Sequence, residues 1–378
     1  MNKNLSSIIL FTLLLLGNMA CNHEEQGEVI EGRHGQMYQK MFVRDFTGER
    51  LLQDYDNEAE AMADARQKVE TTVALIDSLQ RRGKTFLFVF VPTKTATYPE
   101  DLPRAIRRKR AAFSLEEYYI QLFKEKGIPH IDFYTYFQTL KHTYPYPLFS
   151  PIGSHWAQGV MPLVGDSILR KIEELSGFQL PTIEVTDINL TTDYTPQDSE
   201  LEHMPNAPKP KARVPLPKPI CALRDTVGKD RPNLLVVGDG DFVELRNFCF
   251  VDAFAQNDYW LYNRDIYSSR PNIANTSREY CTYTYQMLEE ADIVLGIMTA
   301  PYFYQYFFDF EPTAFQLWQQ GPPCEEDLLL LKMEAIRNNP GWFEAIVNQA
   351  KERGISVEEN LKRNALYVLN AEKERKDE

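Results

Sequence analysis

The sequence lacks the features that mark several classes of protein. After residue 21 it has no apolar run long enough to cross a bilayer. Its five cysteines include no C-x-x-C pair, which argues against a zinc centre or a thioredoxin-type site. Positive charge is in deficit, because 41 Lys and Arg face 54 Asp and Glu for a net charge of −13. This balance disfavours nucleic acid and anionic membrane surfaces as partners.

The first residues have the pattern of an export signal, with Lys3 ahead of an apolar run over 8–16. Residues 16–21 (LGNMAC) resemble a loose bacterial lipobox, in which the cysteine becomes the lipidated first residue. We therefore predict a signal peptide over 1–20 and a membrane lipid anchor on Cys21. The protein would then lie on the periplasmic or cell-surface side of a bacterial outer membrane. Plain secretion with an incidental cysteine is the alternative.

Helix and strand patterns alternate along the next part of the chain. Apolar residues at helical spacing predict a helix over 57–82, which Gly83 ends. The continuous apolar run over 85–91 predicts a parallel strand covered on both faces. A second helix over 114–126 and a strand over 128–133 follow. This order predicts an α/β layered fold with a mainly parallel sheet flanked by helices.

The remaining elements complete this α/β domain and add a tail. We expect a helix over 156–175, strands over 234–237 and 293–298, and either a strand or a cleft-lining loop over 258–263. Six prolines over 205–219 predict an extended surface connection. Helical patterns over 328–336, 342–351 and 357–369 follow. The predicted units are a tether and N-terminal segment (21–55), the α/β domain (56–320) and a helical C-terminal appendage (321–378).

Residues 234–241 (LLVVGDGD) read as a buried strand that runs into a sharp turn. We expect Gly238 and Gly240 to supply positive φ there, and Asp239 to hold the turn through backbone amides, with catalysis as its alternative role. Asp239 and Asp241 without further ligands do not indicate a metal site, and we expect no metal or other cofactor. A second Gly-Asp-Ser string ends at Ser167, but it lies inside a helical pattern, so Ser167 is predicted to be an ordinary helix residue.

Three segments together resemble a known family: PTKTATYP at 92–99, GSHW at 153–156 and GDG at 238–240. They resemble the SGNH-hydrolase-like domain of the AlgX/AlgJ group of alginate O-acetyltransferases, over roughly residues 85–309. In that family an Asp-x-His-Trp motif supplies the acid and base, and Gly-Asp-Ser supplies the nucleophile. The likeness keeps His155 and Trp156, whereas the aspartate falls on Gly153 and the serine on Gly240. It extends to a Bacteroidetes lipoprotein branch with Gly-x-His-Trp and a similar helical C-terminus.

The resemblance implies an enzyme scaffold without its nucleophile, because glycine has no side chain to deprotonate. The lost carboxylate at Gly153 would have oriented the imidazole of His155 and stabilised its charged form. His155 is then either a residual base or sugar-binding group in a cleft, or a histidine stacked against Trp156. The aromatic residues over 302–310 either line a glycan groove or form an edge of the packed core.

Three functions fit these observations. We favour an exported lipoprotein that binds a carbohydrate or cell-envelope ligand without turning it over. The second is an active O-acetyltransferase or esterase that uses another hydroxyl, with Ser268 and Ser269 the nearest downstream serines. The third is a structural envelope assembly protein whose C-terminal helices form an interface. One disulfide would suit an exported protein, but the sequence does not pair the four later cysteines, which are Cys221, Cys249, Cys281 and Cys324.

Overall fold

The computed structural model describes residues 28–209, 213–270 and 276–374. Its strands are β1 (Val29–Glu31), β2 (Met37–Gln39), β3 (Thr85–Val91), β4 (His130–Asp132), β5 (Thr182–Thr191), β6 (Leu216–Arg224), β7 (Asn233–Gly238), β8 (Gln256–Leu261), β9 (Asp265–Ser268), β10 (Thr276–Ser277) and β11 (Ile293–Thr299). Its α-helices are α1 (Lys40–Phe46), α2 (Leu51–Asp54), α3 (Glu58–Gln80), α4 (Lys94–Thr97), α5 (Arg104–Arg107), α6 (Leu115–Lys126), α7 (Phe133–Leu140), α8 (Met161–Ser176), α9 (Pro196–Ser199), α10 (Phe242–Arg246), α11 (Thr284–Glu290), α12 (Phe310–Gln320), α13 (Glu325–Arg337), α14 (Pro340–Arg353) and α15 (Val357–Glu374). The signal peptide and Cys21 lie outside the described residues.

The central sheet has seven strands in the order β10-β9-β8-β7-β11-β3-β4. The run from β8 to β4 is parallel, and β9 and β10 extend it antiparallel. Strand β3 is buried on both faces, because Phe86, Phe88 and Phe90 pack into one core and the alternate residues pack into the other. The predicted α/β fold with a mainly parallel sheet is confirmed.

The predicted helices that cover this sheet form with the expected ends. Asn57 caps α3 by accepting from the Glu60 amide, and Ser114 caps α6 by accepting from the Glu117 amide. Gly127 ends α6 in the left-handed region, with φ of 66°. The helix predicted over 156–175 begins later, as a 3-10 turn over Gln158–Val160 that leads into α8.

The proline-rich connection was only partly predicted correctly. Residues 216–219 belong to β6, which pairs antiparallel with β5 along its length in a two-stranded ribbon outside the main sheet. Pro217 and Pro219 fit there because each strand of such a ribbon has a free edge that needs no amide donor. The sequence analysis missed β5, and part of the proline-rich stretch (210–212) lies outside the described residues.

The two ends of the described chain differ in how they pack. Met37, Tyr38 and Leu51, from the segment assigned to a tether, are buried against the α/β domain. Helices α13, α14 and α15 enclose a small core of their own. The residues of that core are Met333, Ile336, Ile346, Leu361 and Ala365. Within the described ranges, no helix combines the length and apolar character needed to cross a membrane.

Candidate active site

The turn after β7 lies at the carboxyl edge of the parallel strands, where ligands of open α/β sheets usually bind. Our expectation of positive φ at its glycines was wrong, since neither Gly238 nor Gly240 has it. Gly238 is needed for a different reason. A Cβ there would lie 2.3 Å from Ile297 Cγ2 and 2.4 Å from the Ile297 carbonyl oxygen on β11.

Asp239 ties this turn to the end of β11. Its carboxylate is fully buried, and one oxygen accepts from the Thr299 amide and from the Thr299 hydroxyl, each at 2.6 Å. The other oxygen accepts from the Asp241 amide at 3.1 Å. With its carboxylate bonded to backbone and hydroxyl donors in this way, Asp239 has the geometry of a turn-stabilising residue.

The loop over 149–156 brings His155 to this turn. Phe149 and Trp156 form an isolated β-bridge, and the Trp156 indole donates to the Asp241 carbonyl at 2.9 Å. His155 Nε2 lies 3.2 Å from where a Cβ of Gly240 would be. The structure therefore places the histidine beside Gly240. A hydroxyl at residue 240 would be within hydrogen-bond reach of that nitrogen.

Lys94 holds the same loop in place. Its side chain is buried, and its ammonium donates to the carbonyls of Ser150, Pro151 and Gly153 at 2.6, 2.8 and 3.0 Å. Burial lowers its pKa well below the usual value. Lys94 belongs to the 92–99 motif, so the two motif segments before and after α7 are joined by direct contacts.

The partner of His155 is Glu200, which the sequence analysis missed. Glu200 Oε1 lies 2.9 Å from His155 Nδ1 and also accepts from the Ser154 amide at 2.8 Å and from the Ser154 hydroxyl. It comes from the connection between β5 and β6. That connection also excludes a side chain at Gly153, where a Cβ would lie 2.5 Å from the Gln197 carbonyl oxygen. The carboxylate that orients the histidine therefore arrives from the ribbon connection.

The electrostatics of the site favour a charged imidazole. Burial alone would lower the pKa of His155, but the nearby carboxyl groups of Asp241 and Glu200 outweigh it and raise the pKa to about 10. Burial also raises the pKa of Asp241 well above its ordinary value and that of Glu244 to about 7. The ring is partly accessible, with 21 % of its side chain exposed. Glu200, whose own pKa is lowered by the imidazole, is the carboxylate that stabilises the charged form of His155.

Tyr262 closes the other side of the turn. It directly follows β8. Residues 258–263 were predicted to be either a strand or a cleft-lining loop, and the structure has both, because the strand ends at Leu261 and Tyr262 lies beside the turn. Its hydroxyl lies 3.8 Å from the Cβ position of Gly240 and bonds to the Tyr302 hydroxyl at 3.1 Å. Phe303, Tyr306 and Phe307 are instead buried in the core beneath. Most of the aromatic cluster is therefore core, and Tyr302 reaches the site.

The other serines considered are engaged elsewhere. Ser167 lies in α8 and donates to the Leu163 carbonyl at 2.7 Å, as an ordinary helix residue does. Ser268 donates to Asp258, and the Ser269 hydroxyl accepts from the Asn257 amide at 2.9 Å. Both lie near the start of β8, at the opposite end of that strand from the turn. No group of three or more potential metal-ligating residues occurs in the part of the chain that the structure describes.

Part of the chain is similar to a known protein family. Residues 46–190 match a family model described as "SGNH hydrolase-like domain, acetyltransferase AlgX". These residues carry an AlgX-like SGNH domain. The match includes His155, whereas Glu200 and the turn at Gly240 lie beyond it. The family match therefore covers His155. The placement of the Gly240 turn beside this histidine rests on the geometry of the structure alone.

The SGNH domain is also similar to solved structures. The O-acetyltransferase domain of Pseudomonas putida AlgJ is 13 % identical, covers 78 % of this chain and 100 % of its own, and has a TM-score of 0.46. Pseudomonas aeruginosa AlgX is 14 % identical over 76 % of this chain and 67 % of its own, with a TM-score of 0.47. Bacillus cereus PatB1 is 11 % identical over 66 % of this chain and 93 % of its own, with a TM-score of 0.41. No curated protein matches the chain.

Proposed function

We propose that this protein is an exported, lipid-anchored SGNH-like protein that binds a carbohydrate or cell-envelope ligand and does not form an acyl-enzyme. The observation that carries the proposal is Gly240, which leaves no nucleophile opposite His155 Nε2; a Cβ there would lie 3.2 Å from that nitrogen, so a side chain needs only a small shift of the ring. The backbone does not require glycine there, because φ is not positive.

A further feature supports binding over covalent catalysis. A base must be neutral to take a proton, yet the pKa of His155 is raised to about 10. Instead, the site presents an imidazolium donor beside the hydroxyls of Tyr262 and Tyr302 and the carboxylate of Glu200. Such a mixture of donors and acceptors suits a ligand rich in hydroxyl groups.

The retained His155–Glu200 pair favours a second candidate, acetyl transfer or ester hydrolysis through a hydroxyl from elsewhere. The similar AlgJ structure is described as an O-acetyltransferase domain. Acetyl transfer is therefore the reaction that this second candidate function would involve. The pair is oriented as in a Ser-His-acid triad, with one imidazole nitrogen on a carboxylate and the other facing the reaction side. A bound ligand could bring its own hydroxyl to that nitrogen.

The test is release of p-nitrophenol from p-nitrophenyl acetate by the wild type, His155→Ala, Gly240→Ser and Gly240→Ala. We expect equal, near-background rates in the wild type and His155→Ala. Gly240→Ser should gain at least ~10-fold, increasing with pH as His155 becomes neutral toward pH 10, since a positioned base contributes roughly 10²-fold or more. Gly240→Ala is the matched control, because it adds the same Cβ without a hydroxyl.

Wild-type hydrolysis that disappears in His155→Ala would reject the binding proposal and establish the enzymatic candidate. Binding itself is measured with neutral, anionic and O-acetylated oligosaccharides by tryptophan fluorescence, because buried Trp156 contacts the turn. We expect His155→Ala to weaken binding roughly 10-fold, as expected for loss of one charged hydrogen bond. Unchanged binding would place the ligand elsewhere.

A further inference from the structure

Two cysteines that are distant in the sequence lie on elements that contact each other. Cys221 is on β6, and Cys249 begins the 3-10 helix Cys249–Ala253 that follows α10. Both side chains pack against the same hydrophobic core, and each thiol affects the pKa of the other. Cys281 is buried in the other core, and Cys324 is exposed at the start of α13.

The alternation along β6 turns Cys221 toward the domain. Along β6 exposed and partly buried residues alternate, so Cys221 and Leu223 face the domain while Ile220 and Ala222 face solvent. Cys249 lies on the segment that directly follows α10 and the turn at Gly240, and this segment contacts β6. The pair therefore lies between the ribbon and the part of the chain that builds the candidate active site.

The ribbon has a direct connection to that site. Glu200, which bonds to His155, lies on the connection between β5 and β6. On β6, Pro217 packs against Gly159, where a Cβ would lie 2.4 Å from the proline ring. Gln158, next to that glycine, donates to the Glu244 carboxyl group of α10. A covalent link at Cys221 would thus hold the ribbon on the same elements that position His155.

We propose that Cys221 and Cys249 form a disulfide that fixes the ribbon presenting Glu200 to His155. In the reaction the two thiols lose two protons and two electrons, and one S–S bond forms. A disulfide oxidant, either glutathione disulfide or a thiol oxidoreductase, accepts the electrons and is reduced to two thiols. Burial raises the pKa of Cys221 to about 12 and that of Cys249 to about 11, so few thiolates form and the bond is slow to exchange.

The chemical test uses the full chain, first reduced and then equilibrated with a mixture of oxidised and reduced glutathione. After free thiols are blocked, tryptic digestion without reductant should yield the peptides 214–224 and 247–264 joined and lighter by two hydrogens. Recovery of the two peptides as separate blocked thiols, as glutathione adducts, or joined to any other cysteine would overturn the proposal. Because the oxidant is supplied, this result does not depend on export or on the ligand.

Thermal unfolding tests the effect of the bond. A disulfide that closes a loop of roughly 30 residues should raise the melting temperature by roughly 5–10 °C, and reductant should remove that gain. Cys221→Ser and Cys249→Ser should melt at one temperature with or without reductant, whereas Cys324→Ser should respond like the wild type. Equal responses to reductant in all three variants would show that the pair is not the source of the effect.

The effect on the site is read from the imidazole resonances of His155. Reduction should lower its pKa in the wild type by at least ~0.5, because a looser ribbon weakens the bond to Glu200. An unchanged His155 titration on reduction of a confirmed disulfide would overturn the positioning role. This readout separates the proposal from the proposed function, since it needs neither turnover nor a bound ligand.

Discussion

Replacing Glu200 by Gln tests the central assignment of the candidate site. The variant keeps the size of the side chain and an oxygen that can accept from His155 Nδ1, but it removes the negative charge at 2.9 Å. A hydrogen bond between charged groups contributes about 1.5–3 kcal/mol. At about 1.4 kcal/mol per pKa unit, this corresponds to about 1–2 units. We therefore expect the pKa of His155 to fall from about 10 to roughly 8–9, with Asp241 maintaining the remainder.

The assay is a pH titration of the histidine side chains by heteronuclear NMR. The chain has six histidines, so the His155 signal is assigned by its loss in His155→Gln. Glu202→Gln is the matched control, because Glu202 lies on the same 3-10 helix and bonds to Arg213 instead. A wild-type midpoint near 6.5, or an equal midpoint in Glu200→Gln, would refute the assigned pair.

The same variant should change how stability depends on pH. Because the folded-state pKa of His155 lies above its ordinary 6.5, its contribution to stability is complete below pH 6.5 and is lost as pH rises to about 10. Glu200→Gln should reduce that loss by about 1.5–3 kcal/mol, measured by urea unfolding at pH 6 and pH 10. Parallel pH profiles in both proteins would contradict the sign of the shift.

Two other predictions concern packing and a second buried carboxyl group. Gly238→Ala should cost about 2–3 kcal/mol in urea unfolding, because its Cβ would overlap the Ile297 carbonyl oxygen. Gly240→Ala should stay within ~1 kcal/mol of the wild type, and equal costs for both variants would refute the packing argument. Burial raises the pKa of Glu311 from 4.5 to about 7, so the free energy of unfolding of the wild type should decrease as the pH rises from 4.5 to about 7. Glu311→Gln, which keeps an oxygen near the Thr72 hydroxyl, should remove that decrease and be more stable at pH 8 by up to about 3 kcal/mol. A variant that shows the same decrease with pH would assign it to other groups.

The sheet and the helices that cover it could be predicted from short-range sequence patterns. The apolar run at β3 and the capped helix α3 are set by short-range signals, namely burial on both faces and the Asn57 cap. The ribbon was missed because β5 is mostly exposed and because a bulge between Val185 and Asp187 interrupts the alternation of its apolar residues. The prolines of β6 also indicate a surface connection unless the free edge of a two-stranded ribbon is known in advance.

The candidate site divides in a similar way. Motif spacing brought His155 and Gly240 into one hypothesis, and the structure places them together. Glu200 carries no motif, and its position depends on the pairing of β5 with β6. An available signal was the acidic stretch before the proline-rich connection, but acidic residues in a connection are usually only solvated. The glycine prediction failed because close approach to Ile297, rather than backbone conformation, requires Gly238.

The strand order has a consequence for how the chain is made. Strand β3 is synthesised early, yet one of its two partners in the sheet is β11, the last strand in the chain. Until residue 299 emerges, the apolar segment TFLFVFV has an open edge of the kind that promotes aggregation. Truncations that end before β11 should therefore be insoluble. The nascent chain would need a chaperone to shield β3 for most of its synthesis.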